Sequence, residues 1–251
     1  MELFQLSRSN MADFLVALKG EGDQTPLTVL QSAWANSHQN EVHNGTSLPA
    51  FMETKMPAVF EKFIKENKSK IGFSINEIVM LGNQIEFTNL SPTAVQNWVK
   101  RDVKNLIGSP QLGKKYTVDQ AAILLIIEDL KSSLDFESIR KVLTLVFNNP
   151  ADRTDDVIDP LTLYAAYASI FEKIHHERLI PGDISVPINL QIEEFIKKES
   201  ETLIPTFTGL NEEQRNIVLN VLIMTTLTVL SSYYQTLTKQ YMTATLFLNG
   251  I

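Results

Sequence analysis

The chain has 251 residues, no cysteine and a formal charge of −7. That length suits one large domain or two modest ones with a proper apolar core, and the missing cysteines exclude disulfides, thiolate metal sites and a cysteine nucleophile. The acidic balance argues against indiscriminate nucleic-acid binding, because the long-range field of the chain repels phosphate.

The amino-terminal stretch begins with an acid and carries Arg8 and Asp13 inside its apolar pattern. It therefore lacks the basic start and unbroken apolar run of a secretory signal, and the expectation is a cytoplasmic protein. Asn10 or Ser9 is a candidate cap for a short helix that places Met11, Phe14, Leu15 and Leu18 on one face and ends at Gly20. A second helix is expected over 26–35, where Pro26 suits the first helical position. Residues 36–49 are polar and rich in turn formers, which reads as a loop. A third helix over about 58–67 points Val59, Phe60, Phe63 and Ile64 inward. Residues 1–70 thus form a helical lead-in.

Residues 71–148 are better specified. Ser74 with Glu77 makes a capping box at the start of a helix whose apolar side is Ile75, Ile78, Val79, Ile85 and Phe87. Thr88, Asn89 and Leu90 form a three-residue turn. Ser91 then caps a second helix with Pro92 in its first turn. Ala94, Val95, Trp98 and Val99 make its buried stripe, which leaves Thr93, Gln96, Asn97, Lys100, Arg101 and Lys104 facing outward. Gln96 and Asn97 carry amides that match a base edge, each offering a donor beside an acceptor. Lys100, Arg101 and Lys104 suit phosphates, as do Ser91 and Thr93 at the helix start. Taken alone, such residues also fit an ordinary solvated helix. The loop that follows shifts the balance: turn chemistry over Ser109, Pro110 and Gly113 leads into Lys114, Lys115 and Tyr116, directly before a second capping box of Thr117 and Gln120. A short basic loop beside a reading helix can lie along a phosphate backbone, with its tyrosine packing inward or bonding a phosphate. The helix over 118–130 is apolar nearly all round and reads as scaffold; Asp135 caps a fourth helix with Phe136, Ile139, Val142 and Leu143 inward. Between Gln96 and Lys115 five basic residues face a single acid, Asp102, so a local basic face on an acidic body is expected.

The polar, acidic stretch 150–158 reads as a connector. Asp159 and Pro160 open a helix to about residue 178, with Leu161, Leu163, Tyr164, Tyr167, Ala168, Phe171 and Ile174 on a wide apolar face. Pro181, Gly182 and Pro187 break the pattern, a shorter helix covers about 190–202, and Asn211 with Gln214 caps a long final helix. No charge occurs between Arg215 and Lys239, yet serines, threonines, tyrosines, Asn220 and Gln235 interrupt that stretch. A buried or subunit-interface helix accounts for it better than a membrane span. Residues 157–251 are therefore read as a helical dimerisation or sensing domain. Its surplus apolar surface points to a homodimer through the C-terminal helices, with the centre of a self-contained bundle as the alternative. Tyr164, Tyr167, Phe171, Tyr233, Tyr234 and Tyr241 either belong to the core or line a pocket for a small-molecule effector.

Enzyme signatures are not found: there is no phosphate-cradling glycine loop, nucleophile elbow or HExxH. His175 and His176 are adjacent on a helix and point apart, while His38, Glu41 and His43 lack a fourth ligand. A non-enzymatic protein without metal or cofactor is expected.

Ser91, Pro92, Val95 and Trp98, then Pro110, Gly113, Lys115 and Tyr116, then Leu130, Lys131, Leu134, Glu137, Ile139 and Leu143 follow a pattern that resembles the MerR-type winged helix-turn-helix. More narrowly, LSPTAVQNWVKR, GKKYTVDQAAILLII and LKSSLDFESI look like an uncharacterised family of Gram-positive bacterial proteins containing this MerR-like domain. The resemblance implies an all-α protein, a MerR-like domain followed by a helical bundle, that reads double-stranded DNA as a dimeric bacterial transcription regulator. Gln96 departs from the arginine usual at its position in that family, and two extra residues precede Pro110. A non-enzymatic protein-interaction adaptor on the same scaffold is the alternative.

Overall fold

The computed structural model describes residues 4–66, 71–176 and 186–250. The fold is all-α; among the described residues the only extended pairings are isolated bridges between Leu6 and Ile85, Phe73 and Tyr116, and Leu112 and Lys115.

Helix boundaries follow the capping chemistry. Ser7, rather than Ser9 or Asn10, caps α1 (Arg8–Lys19), its hydroxyl accepting from the Asn10 amide, and Gly20 closes the helix at φ 79. Thr25 caps α2 (Pro26–Ser37) with Pro26 in the first turn. The expected loop at 36–49 instead holds two short helices, α3 (Gln39–His43) and α4 (Ser47–Glu53). Trp34 of α2 contacts both: its ring stacks on His38 before α3 and meets Phe51 of α4 edge-on, and its Nε1 donates to Thr54 Oγ1 at 3.1 Å. Helix α5 (Ala58–Lys65) follows.

The expected capping boxes of Ser74/Glu77, Thr117/Gln120 and Asn211/Gln214 all form, opening α6 (Ile75–Gly82), α9 (Val118–Leu130) and α13 (Glu212–Leu248). Between α6 and α9 lie α7 (Pro92–Asn97), a π-helical turn over Trp98–Asp102, and α8 (Lys104–Ile107). Asp135 caps α10 (Phe136–Leu143); α11 (Pro160–His176) and α12 (Ile188–Leu203) complete the set. The end of the helix expected to reach residue 178 and the break at Pro181 and Gly182 lie outside the described residues.

The three-residue turn expected between α6 and α7 is corrected to a nine-residue connection, 83–91. Helix α6 stops at Gly82 because residues 84–86 pair with the amino-terminal segment: Leu6 N–H donates to the Gln84 carbonyl at 2.7 Å and Glu86 N–H to the Leu6 carbonyl at 3.1 Å. Ile85 and Phe87 therefore belong to this connection and not to the helix.

Helix α11 is the hub. It packs against α1, α9, α12 and α13, with Leu163, Tyr164, Tyr167 and Ala168 fully buried. One apolar core runs from Phe4 to Val229, and a smaller cluster of Ile170, Ile174 and Ile196 joins α11 to α12. At the junction of α1, α9 and α11 sits a buried ion pair: the Arg8 guanidinium donates to both Asp129 carboxylate oxygens at 2.7 to 3.1 Å, and Tyr167 Oη donates to Asp129 Oδ2 at 2.7 Å. Arg8 also donates to the Glu86 carbonyl at 3.1 Å, so the pair holds the α6–α7 connection as well. Removing one partner would leave an uncompensated buried charge, at a cost of about 3 to 5 kcal/mol.

Candidate nucleic-acid interface

Helix α6 and the connection leading to α7 approach closely at Gly82. A Cβ on Gly82 would lie 2.2 Å from Leu90 Cδ1, inside van der Waals contact. Asn83 then locks the connection, its side chain accepting from Leu90 N–H at 2.7 Å and donating to the Leu90 carbonyl at 3.0 Å. Ser91 follows as the cap, its Oγ accepting from the Ala94 amide at 3.1 Å, which leaves the hydroxyl proton available as a donor.

Along α7 and the π turn, Val95, Trp98, Val99 and Val103 are buried. Thr93, Gln96 and Asn97 of α7, Lys100 and Arg101 of the π turn and Lys104 of α8 are all exposed; Val103, at φ −130 and ψ 23, interrupts the helix before Lys104. The π turn is closed by Val103 N–H donating to the Trp98 carbonyl at 2.9 Å. It is braced by Arg140 of α10, whose Nη1 donates to the Asp102 carbonyl at 2.6 Å. Arg101 is exposed but engaged, its Nε 2.8 Å from Asp102 Oδ1.

The adjoining loop is a small hairpin. Leu112 and Lys115 exchange backbone hydrogen bonds at 3.0 and 3.1 Å around Gly113 and Lys114, with Gly113 at φ 66, a conformation that favours glycine at the first central position of a two-residue turn. Lys114 at the tip is exposed. Lys115 is half-buried and lies 3.7 Å from Glu77 Oε2, and Glu77 is also paired with Lys62 of α5. Burial pushes the Glu77 carboxyl up, but the Lys62 ammonium, the Ser74 amide and hydroxyl, and Lys115 outweigh it and hold the group below the usual carboxylate range. Tyr116 packs inward: its ring is buried and its backbone exchanges hydrogen bonds with Phe73 at 2.8 Å.

Gln120 ties helix, hairpin and scaffold together. Fully buried, it accepts from the Thr117 amide at 3.0 Å and donates through Nε2 to the carbonyls of Ile107 and Ser109, each at 2.8 Å. Sequence reasoning found Gln120 only as a cap, and it missed Asn83, Lys62 and Arg140. Their partners are backbone atoms or side chains fixed by tertiary packing, which no local spacing signals.

Residues 68–167, which include all of this arrangement except Lys62, match the family described as Domain of unknown function (DUF1836). Over 244 residues the chain is 41% identical to "Uncharacterized protein YkrK" of Bacillus subtilis (strain 168), covering 97% of this chain and 99% of that protein. No solved structure matches.

Proposed function

This chain belongs to the family of the Bacillus subtilis protein YkrK and carries the DUF1836 domain; from that premise we propose that it is a cytoplasmic, DNA-binding transcriptional regulator with a MerR-like winged helix-turn-helix. The observation that carries the reading is the joint exposure of Gln96 and Asn97 on α7, Lys100 on the π turn and Lys104 at the start of α8, followed by a hairpin with exposed Lys114 at its tip. Gln96 and Asn97 are assigned to base edges, Lys100, Lys104 and Lys114 to phosphates, with the Ser91 and Thr93 hydroxyls as further phosphate donors. Arg101 and Lys115 begin from existing carboxylate partners, so each trades an ion pair for a phosphate.

Dimerisation through α13 supplies the second reading helix. Seven of its residues between Val218 and Val229 are buried in the protein, although by length and hydropathy the helix could cross a membrane. Beyond them every residue from Thr238 to Gly250 is exposed, with Tyr241, Met242, Phe247 and Leu248 uncovered. A second copy of this chain is the proposed cover. The same uncovered end favours the second reading, an adaptor that binds another protein.

Electrophoretic shift with random genomic fragments at low and physiological salt separates the two. The regulator retains a subset of fragments at physiological salt. Lys100→Ala and Lys104→Ala weaken all fragments and each flatten the log–log salt slope by about 0.9, whereas Gln96→Ala relaxes preference at one base pair. Retention of no fragment at either salt, or equal effects of all three substitutions on every sequence, overturns the assignment.

A further inference from the structure

A cavity of about 310 Å³ lies behind the reading helix, where α1, the α6–α7 connection, the end of α9 and α13 converge. It is a crevice open to solvent on one side, with room for a compact metabolite. Its walls are unusually polar for a crevice between helices. Arg8 and Asp129 form the floor, both nine-tenths or more buried and satisfied by one another. Glu128 and Lys131 form one side as an ion pair at 3.2 Å. Facing them from α13 is Lys239, exposed and, among the described residues, with no carboxylate at ion-pair distance. Lys239 is thus the cation of this lining that stands outside the Arg8–Asp129 and Glu128–Lys131 pairs. Thr88, Asn89, Ser132, Ser232, Gln235 and Thr236 add polar side chains to the lining, the Ser132 hydroxyl also donating to the Thr228 carbonyl at 3.3 Å.

Two features tie the cavity to the helix-turn-helix. Phe87 stands at its mouth with φ 62, a backbone conformation that non-glycine residues rarely adopt. Its ring is held edge-on by Tyr233 of α13 at 4.9 Å. Lys131, besides pairing with Glu128, sits 5.4 Å over the ring of Trp98 at the foot of the reading helix. One ammonium thus touches both the cavity wall and the residue that seats the π turn.

We propose that this cavity binds a small hydroxylated organic anion, a carboxylate or phosphate ester, with its anionic group on Lys239 and Lys131 and its hydroxyls on the serine and threonine side chains. Binding draws Lys131 away from Glu128 and from the Trp98 ring. The binding step stands independently of the preceding section; its use as a switch on DNA rests on that reading and on the ligand's unequal affinity for two positions of Trp98.

The test uses the full chain with Trp34→Phe, which leaves Trp98 as the lone tryptophan of the two in the sequence. Gluconate, citrate and glucose 6-phosphate are titrated by calorimetry and by tryptophan emission, with potassium chloride at matched ionic strength as control. Saturable heat with at least one organic anion, a tenfold or greater weakening in Lys239→Gln, and loss of the emission change in Lys131→Gln are expected. Carboxylate and phosphate arms identify which anionic group is preferred. Absence of saturable heat with all three anions, or equal affinity in Lys239→Gln, overturns the site; saturable heat with unchanged Trp98 emission overturns the coupling. Shift assays with and without the anion are read separately, so a protein that binds the anion but no DNA sinks the regulator reading and leaves the site standing.

Discussion

Glu128 offers a quantitative check on how this junction is built. Its carboxyl pairs with Lys131 at 3.2 Å, feels the charge of neighbouring Asp129, and receives the Asn89 amide. Burial pushes it from 4.5 up to about 7, against the pull of Lys131 and of the Asn89 amide. The folded state therefore holds this proton more tightly than the unfolded chain. The stabilisation is complete below pH 4.5 and is lost as pH rises through about 7. At about 1.4 kcal/mol per pH unit, the loss from this group between about pH 5 and pH 8 is roughly 2 to 3 kcal/mol. Glu128→Gln removes the titration while keeping an acceptor for the Asn89 amide. Urea denaturation of both proteins across that range should show wild type falling behind the variant by roughly that amount as pH rises, all other titrations cancelling in the difference. Parallel curves, or a wild type that gains on the variant toward alkaline pH, would refute the claim that burial dominates over the Lys131 ion pair.

Gln120→Ala strands the carbonyls of Ile107 and Ser109 and the Thr117 amide, and a loss of about 2 to 3 kcal/mol by chemical denaturation is expected, with faster amide exchange in the 109–117 hairpin. Gly82→Ala drives a methyl into the buried Leu90 side chain and should cost about 1 to 3 kcal/mol; Leu90→Ala, which clears the space, should make the double variant less unstable than the sum of the two. Ending the chain after Leu237 should convert a dimer into a monomer in sedimentation experiments while the melting temperature of the body changes little, since the removed residues up to Gly250 are exposed. A wild-type chain that is monomeric at every concentration contradicts that expectation.

Local chemistry was readable along the chain and distant chemistry was not. The pairs Ser74/Glu77, Thr117/Gln120 and Asn211/Gln214 fix helix starts by hydrogen bonds within one turn, so spacing alone locates them. The alternation of buried Val95, Trp98 and Val99 with exposed Gln96, Asn97 and Lys100 was legible for the same reason. The apolar period of helix α6 runs on past its actual end, because the helix is ended by pairing with Leu6, nearly eighty residues away, and not by a local breaker. The π turn at Trp98 carries no compositional signal, and Arg8, read only as a charge interrupting an apolar pattern, is buried beneath α11. Lys115 looked like a free cation because Glu77, its partner, was visible only as a cap.

The bond between Arg8 and Asp129 spans 121 positions of sequence, and it constrains how this lineage can vary. A single substitution at either end strands a charge, whereas replacing both with well-packed apolar residues removes the charges together and leaves only the Tyr167 hydroxyl and the Glu86 carbonyl without these partners. Drift at these two positions must therefore be concerted: descendants inherit arginine with aspartate, or abandon both, and Tyr167 is released from its hydrogen bond only in the second case.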